Sequence, residues 1–205
     1  LLIGVVSLFV SHQWRQPQQD FSHTLKVLTY NTHALCMGDK QQAKQMLAYL
    51  NEQDADIICL QEVRVYKDAQ RMTLPQLRQA MSQYPYTYYD FKRYNSRRQF
   101  GNVVFSRYPL INKQTISYES QNNISSQCDV VVKNDTIRLI VNHLESFRLM
   151  KEDLQLDTLS VSHFKQSSLN QKLHSASELR QEQANAVKAA INASPYPVLA
   201  VGDFN

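Results

Sequence analysis

Apolar and polar positions divide the chain into short buried runs and longer amphipathic ones. Residues 25–30 (LKVLTY) form an apolar run ending at Asn31, and residues 57–60 (IICL) form a second ending in Gln61-Glu62. Between them Ala43, Met46, Leu47 and Leu50 recur at helical spacing, which predicts an amphipathic helix over 40–51 with Asp39 as its N-cap. Strand, helix and strand in this short span predict a βαβ unit with parallel strands. Asn31 and Glu62 then share the C-terminal edge of one sheet. Residues 74–82 predict a short helix, 86–91 an aromatic strand, and 101–107 (GNVVFSR) a strand ended by Tyr108-Pro109. Residues 129–133 and 136–142 predict a hairpin turning at Asn134-Asp135 and running into His143-Leu144-Glu145-Ser146. Residues 178–193 predict a helix with Leu179, Val187, Ala190 and Ile191 on one face, stopped by Ser194-Pro195-Tyr196-Pro197. Leu199-Ala200-Val201 reads as a closing buried strand, broken by Gly202 and followed by Asp203 and Asn205. Residues 151–171 are polar and show no pattern, and no repeat or low-complexity tract occurs.

The chain opens on ten apolar-rich residues, LLIGVVSLFV, followed by Trp14 and Arg15. As a helix these ten span ~15 Å, half a bilayer core. The end of a transmembrane helix is the preferred reading of residues 1–10, ahead of a signal-peptide core, for which the cleavage pattern is missing, and a buried element. Residues 11–24 are polar, carry Pro17 and read as a linker, so the folded domain is expected over 25–205. The expected location is the membrane, with the side that the domain faces left open.

Composition narrows this picture only mildly. Of 205 residues, 43% are apolar and 20% charged, a globular balance rather than a disordered one. Lys and Arg number 22 against 18 Asp and Glu; this net charge of +4 permits a phosphate-bearing partner without demanding one. Three cysteines, Cys36, Cys59 and Cys128, offer no paired spacing for a disulfide framework or a zinc knuckle, and Cys59 lies within an apolar run.

The candidate chemistry lies at strand ends: Asn31, Glu62, Asn102, His143, Asp203 and Asn205. Each alone has a structural explanation, and a lone histidine is usually a hydrogen-bonded one. Together the set is rich in oxygen and free of thiols. Such donors suit Mg²⁺ or Mn²⁺, which keep several waters and take one or two carboxylates. An ion on Glu62 polarises a phosphoryl oxygen and offsets charge on the leaving oxygen. Asp203 can orient or deprotonate a water, with Asn205 fixing its angle, while His143 stabilises phosphoryl oxygens or serves as the acid–base partner. A metal-assisted phosphoester hydrolase fits these parts best.

Five segments in order, LTYN at 28–31, QE at 61–62, GNVVFSRYPL at 101–110, NHLES at 142–146 and VGDFN at 201–205, resemble the successive motifs of the endonuclease/exonuclease/phosphatase superfamily. The resemblance runs from about Leu25 to the end. It implies an α/β fold of four layers, two packed β-sheets flanked by helices, with the site at the mouth of the sandwich. It also implies Mg²⁺-dependent cleavage of a phosphomonoester or phosphodiester. On this resemblance Glu62 is the metal ligand, Asn31 supports metal and phosphate, and Asp203 and Asn205 position the nucleophilic water. Histidine at 143 resembles the deoxyribonuclease-, sphingomyelinase- and phosphoinositide-phosphatase-like branches rather than the abasic-site endonucleases. Family members continue to a later aspartate and a serine-aspartate-histidine. The sequence ends at Asn205, so the chain is expected to be a fragment lacking both ends and nearly inactive by itself.

Residues 91–98 (FKRYNSRR) interleave Lys92, Arg93, Arg97 and Arg98 with Phe91 and Tyr94. They suit a phosphate backbone with stacked bases, anionic headgroups, or simply a solvated loop. Asn102, Arg97, Arg98 and the strand-end Arg107 are the candidate substrate contacts. The expected protein is therefore a monomeric, membrane-tethered phosphoesterase acting on nucleic acid, phospholipid or a small phosphoester. A sphingomyelinase- or phosphoinositide-type lipid phosphoesterase is the nearest alternative, and a non-catalytic binding module is a third.

Overall fold

Alternation along β2 (Ile57–Tyr66) sets the layers of the molecule. Ile58 and Leu60 point to one side of the strand, Ile57 and Cys59 to the other, and all four are fully buried. In the computed structural model, which describes residues 24–94, 96–120, 123–146 and 163–205, β2 lies inside a mixed sheet. That sheet also holds β1 (Val27–Asn31), β3 (Tyr86–Tyr94) and β4 (Arg98–Ser106), in the order β1-β2-β4-β3. A second mixed sheet runs β5 (Leu110–Ile116), β6 (Ile124–Val132), β7 (Asp135–His143), β8 (Val198–Asp203), each strand beside the next. Ile57, Cys59 and Val104 of the first sheet meet Cys128, Val130, Leu139 and Val141 of the second. Burial there pushes the Cys128 thiol up to about 12 and that of Cys59 higher still, so both behave as apolar core atoms.

Helices cover the outer faces. α1 (Lys40–Glu52) starts where the Asp39 carboxylate accepts from the backbone N–H groups of Gln41 and Gln42, as its sequence predicts. α2 (Leu74–Ala80) carries a capping box between Thr73 and Gln76. Ala43, Leu47 and Leu50 of α1 and Leu77 of α2 pack on Ile58, Leu60, Val103 and Phe105. α3 (His163–Asn192) lies against the second sheet, with Val187 buried beside Ile116 and Ile140. The order helix, sheet, sheet, helix is the expected four-layer α/β sandwich.

β1 and β2 are parallel, with Asn31 opposite Gln61, as the βαβ pattern predicts. The hairpin β6–β7 also matches, turning at Lys133-Asn134. β5 was not anticipated, β2 extends six residues beyond the predicted end, and α3 begins fifteen residues before the predicted helix. The proposed anchor at 1–10 and nearly all of the linker at 11–24 lie outside the described residues. Among those described, no helix is long and apolar enough to cross a membrane.

Candidate active site at the mouth of the sandwich

Two parallel strand pairs, one in each sheet, end at the same edge. β1 and β2 deliver Asn31 and Glu62; β7 and β8 deliver His143 and Asp203, which are register partners. The Asn31 side-chain amide joins the sheets, donating from Nδ2 to Asp203 Oδ2 at 2.7 Å and to Glu62 Oε1 at 3.2 Å. Both carboxylates therefore lie within hydrogen-bond reach of one nitrogen, although 141 positions separate them in the chain.

Local backbone geometry aims each group. Between Leu60 and Val63 the β2–β4 register slips, so that Gln61 and Glu62 oppose the single residue Asn102. Glu62 sits in this bulge with φ of 55°, an uncommon conformation for a residue with a Cβ, and its carboxylate turns towards the mouth. Behind Asn31, residues His33 to Met37 form one turn of left-handed helix, every φ between 46° and 59°. Such a turn costs about 1–2 kcal/mol per residue for L-amino acids. Burial of Leu35, together with the Thr32 hydroxyl donating to the Gln61 carbonyl at 2.9 Å, holds it in place. Its first N–H, from His33, donates to Asn31 Oδ1 at 2.9 Å, which leaves the NH₂ end of that amide facing the carboxylates.

His143 Nε2 stands 3.3 Å from Glu62 Oε1, while its Nδ1 is buried without a hydrogen-bond partner. This contact and the Asn31 amide hold the Glu62 carboxyl below its ordinary range, against the opposing effect of burial. At the end of β8 the backbone N–H of Asn205 donates to Asp203 Oδ1 at 3.0 Å. The Asn205 side chain donates to the Leu144 carbonyl at 2.7 Å, tying the closing turn to the end of β7.

A cleft of about 500 Å³ opens over these groups. Asn31, Glu62, His143, Asp203, Asn205 and Arg98 line it, all of them candidates from sequence, together with Arg64, Phe100, Asn123 and Ser146, which sequence reasoning missed. Arg97 lines an adjoining groove. Two candidates lie elsewhere. Asn102 is buried between the sheets, where its amide donates to the Ile124 and Val141 carbonyls and to the Ser126 hydroxyl, so it ties the sheets together and lines no part of the cleft. Arg107 follows β4 at the opposite edge, paired with Asp54 and Asp56, because β4 runs antiparallel to β2 and its end lies beside the start of β2. A period-2 pattern after Glu62, with Val63 and Val65 buried and Arg64 and Tyr66 half-exposed, was the available signal for Arg64.

The family model described as "Endonuclease/Exonuclease/phosphatase family" matches residues 28–205. Solved structures of similar fold include sphingomyelinase C from Streptomyces griseocarneus, with a TM-score of 0.62 and 20% identity over 90% of this chain and 65% of that one. TDP2 from D. rerio complexed with a single strand DNA product gives 0.58 and 15%, over 88% and 60%. TDP2 from C. elegans gives 0.56 and 18%, over 88% and 48%. This chain thus spans less than two thirds of each, and at these identities the likeness is one of fold. No curated protein matches. The match over residues 28–205, on the fold and site geometry described, shows that the chain belongs to the endonuclease/exonuclease/phosphatase family.

Proposed function

We propose that the chain is the catalytic region of a metal-dependent phosphoesterase that hydrolyses a phosphodiester or phosphomonoester by attack of water. One observation carries this reading: the Asn31 amide gathers Glu62 and Asp203, from different sheets, at the floor of one cleft. Among the described residues no group of three or more His, Cys, Asp or Glu side chains could hold a metal ion. The donors are instead the carboxylate oxygens of Glu62 and Asp203, which fit a hard ion that keeps most of its waters, Mg²⁺ or Mn²⁺. Glu62, with Asn31 beside it, would hold that ion. When bound it would polarise a phosphoryl oxygen and offset charge on the leaving oxygen.

The protein's own groups do the rest. His143 and Asn31 keep Glu62 ionised and oriented. Asp203, steadied by the Asn205 backbone, orients a water at Oδ2 and accepts its proton. Of its two ring nitrogens His143 can turn only Nε2, beside Glu62 in the cleft, to the crowded phosphoryl oxygens, since Nδ1 is buried. The single strand DNA product bound by the D. rerio neighbour supports a phosphodiester substrate. The apolar run at 1–10 supports membrane tethering.

Titration calorimetry with Mg²⁺, read beside hydrolysis of bis(p-nitrophenyl) phosphate, tests this. Saturable ion binding is expected from residues 1–205, with only slow, EDTA-sensitive turnover, both lost in Glu62→Gln. Turnover that persists in EDTA, or ion binding indifferent to Glu62→Gln, overturns it.

A further inference from the structure

The backbone of Leu144, one residue past β7, is a junction of strand ends. Its N–H donates to the Asp203 carbonyl at 2.9 Å. Its carbonyl accepts from two side-chain amides, Asn205 Nδ2 at 2.7 Å after β8 and Asn123 Nδ2 just before β6. A carbonyl oxygen has two lone pairs, and here each meets a donor, so both polar atoms of the Leu144 backbone are held.

The junction reaches outward to α3. The next N–H, of Glu145, donates to Gln183 Oε1 at 2.8 Å, and Gln183 is fully buried along α3. The buried Glu145 carboxylate accepts the Ser120 hydroxyl at 3.0 Å, and the Ser120 oxygen in turn accepts the Asn123 N–H at 3.0 Å. Hydrogen bonds therefore run from an outer helix, through Glu145, Ser120 and Asn123, to the carbonyl that grips Asn205. Core packing does not account for them. Burying an amide is costly wherever one of its polar atoms is left over, and Gln183 Nε2 finds no partner among the described residues. A methionine would fill nearly the same space without that cost. What glutamine adds is one acceptor, aimed at the Glu145 N–H.

The consequence falls on Asn205, which lines the cleft. With its Nδ2 bound to Leu144, Oδ1 is the end of the Asn205 amide turned away from the junction. An attacking water that gives one proton to Asp203 and points the other at this Oδ1 keeps a lone pair for phosphorus. Rotated by half a turn, the amide would offer N–H groups to the same water and hold it the wrong way round. We propose that Gln183 and Asn123 are positioning residues for the hydrolysis, holding the Leu144 carbonyl so that Asn205 keeps this orientation; the role rests on the phosphoesterase reading above. Gln183 lines no part of the cleft and acts only through Glu145 and Leu144.

Two readouts on residues 1–205 test this: the side-chain amide signals of Asn205 in ¹⁵N-asparagine-labelled protein, and hydrolysis of bis(p-nitrophenyl) phosphate in Mg²⁺. Gln183→Met removes the acceptor at nearly constant volume, Gln183→Glu keeps an acceptor oxygen, and Val187→Ala, one turn along α3, loses packing away from the junction. In Gln183→Met and Asn123→Ala the Asn205 amide protons should exchange with solvent about tenfold faster and kcat should fall about tenfold, with KM unchanged in Gln183→Met. Gln183→Glu should recover most of both. Val187→Ala should match wild type in both, although its urea midpoint falls. Unchanged amide exchange in Gln183→Met and Asn123→Ala overturns the proposal. So does a Val187→Ala variant that loses as much kcat as Gln183→Met at equal stability. Absence of Mg²⁺-dependent turnover in wild type counts against the catalytic reading alone, because the amide signals still decide whether Gln183 and Asn123 hold Asn205.

Discussion

A Cβ on Gly202 would stand 2.1 Å from the carbonyl oxygen of Asn142, its register partner on β7. With φ at 129°, Gly202 also occupies a region that residues with side chains avoid. Two requirements, close approach and backbone freedom, thus meet one residue before Asp203. Gly202→Ala must either separate β8 from β7 or strain the backbone, and it should cost at least about 2 kcal/mol. A urea midpoint that falls at unchanged m-value is the expected result, with weaker Mg²⁺ binding because Asp203 and Asn205 shift with β8.

Asp129 is fully buried in the second sheet, held by Arg138 and by the Asn112 amide at 2.8 Å. Removing the guanidinium leaves a buried carboxylate with one neutral donor. Arg138→Met should therefore lose about 3–5 kcal/mol, and adding Asp129→Asn should recover much of it by neutralising the stranded charge. Equal stability of single and double variants in urea would show that the loss is one of packing instead.

Arg107 belongs to stability, not to the cleft. Its guanidinium holds the Asp54 carboxyl below the ordinary value of 3.8, and both groups are exposed enough for salt to screen the pair. A depressed carboxyl contributes stability that is complete above its unfolded pKa and disappears as pH falls through its folded one. The difference in thermal midpoint between wild type and Asp54→Asn should be small and constant above about pH 4, close below it, and shrink in high salt. Midpoints measured across that pH range, with Mg²⁺ binding by Arg107→Gln alongside, check both parts; the variant's ion affinity should match that of wild type.

Much of the site could be read from sequence because Asn31, Glu62, His143 and Asp203 each end an apolar run, and parallel pairing carries such ends to one edge. Asn102 stands level with Glu62 but turns its side chain between the sheets, whereas Arg107 was misplaced for a related reason. Position along a strand cannot reveal whether that strand runs with or against its neighbour, and β4 runs against β2. β5 escaped because only its ends, Leu110 and Ile116, are buried, leaving no alternation to detect. The left-handed turn at His33 to Met37 contains no glycine, and contacts distant in sequence, among them the docking of Leu35 and Thr32 against the first sheet, offset its local cost. Arg64 was overlooked because the bulge at Glu62 conceals the continuation of β2.

Asn31 itself is the most informative residue to change. Its amide lets two carboxylates approach without a cation, so a carboxylate in its place would set three acceptors against one another. Asn31→Asp should lower the thermal midpoint in EDTA through like-charge repulsion. An ion that binds only the folded chain stabilises it by mass action, and it should bind the more acidic site more tightly. Saturating Mg²⁺ is therefore expected to raise the midpoint more in Asn31→Asp than in wild type, while Asn31→Leu, which supplies neither amide nor charge, should respond less than either. Identical Mg²⁺-induced shifts in all three proteins would place the ion away from Asn31 and remove the main support for the proposed chemistry.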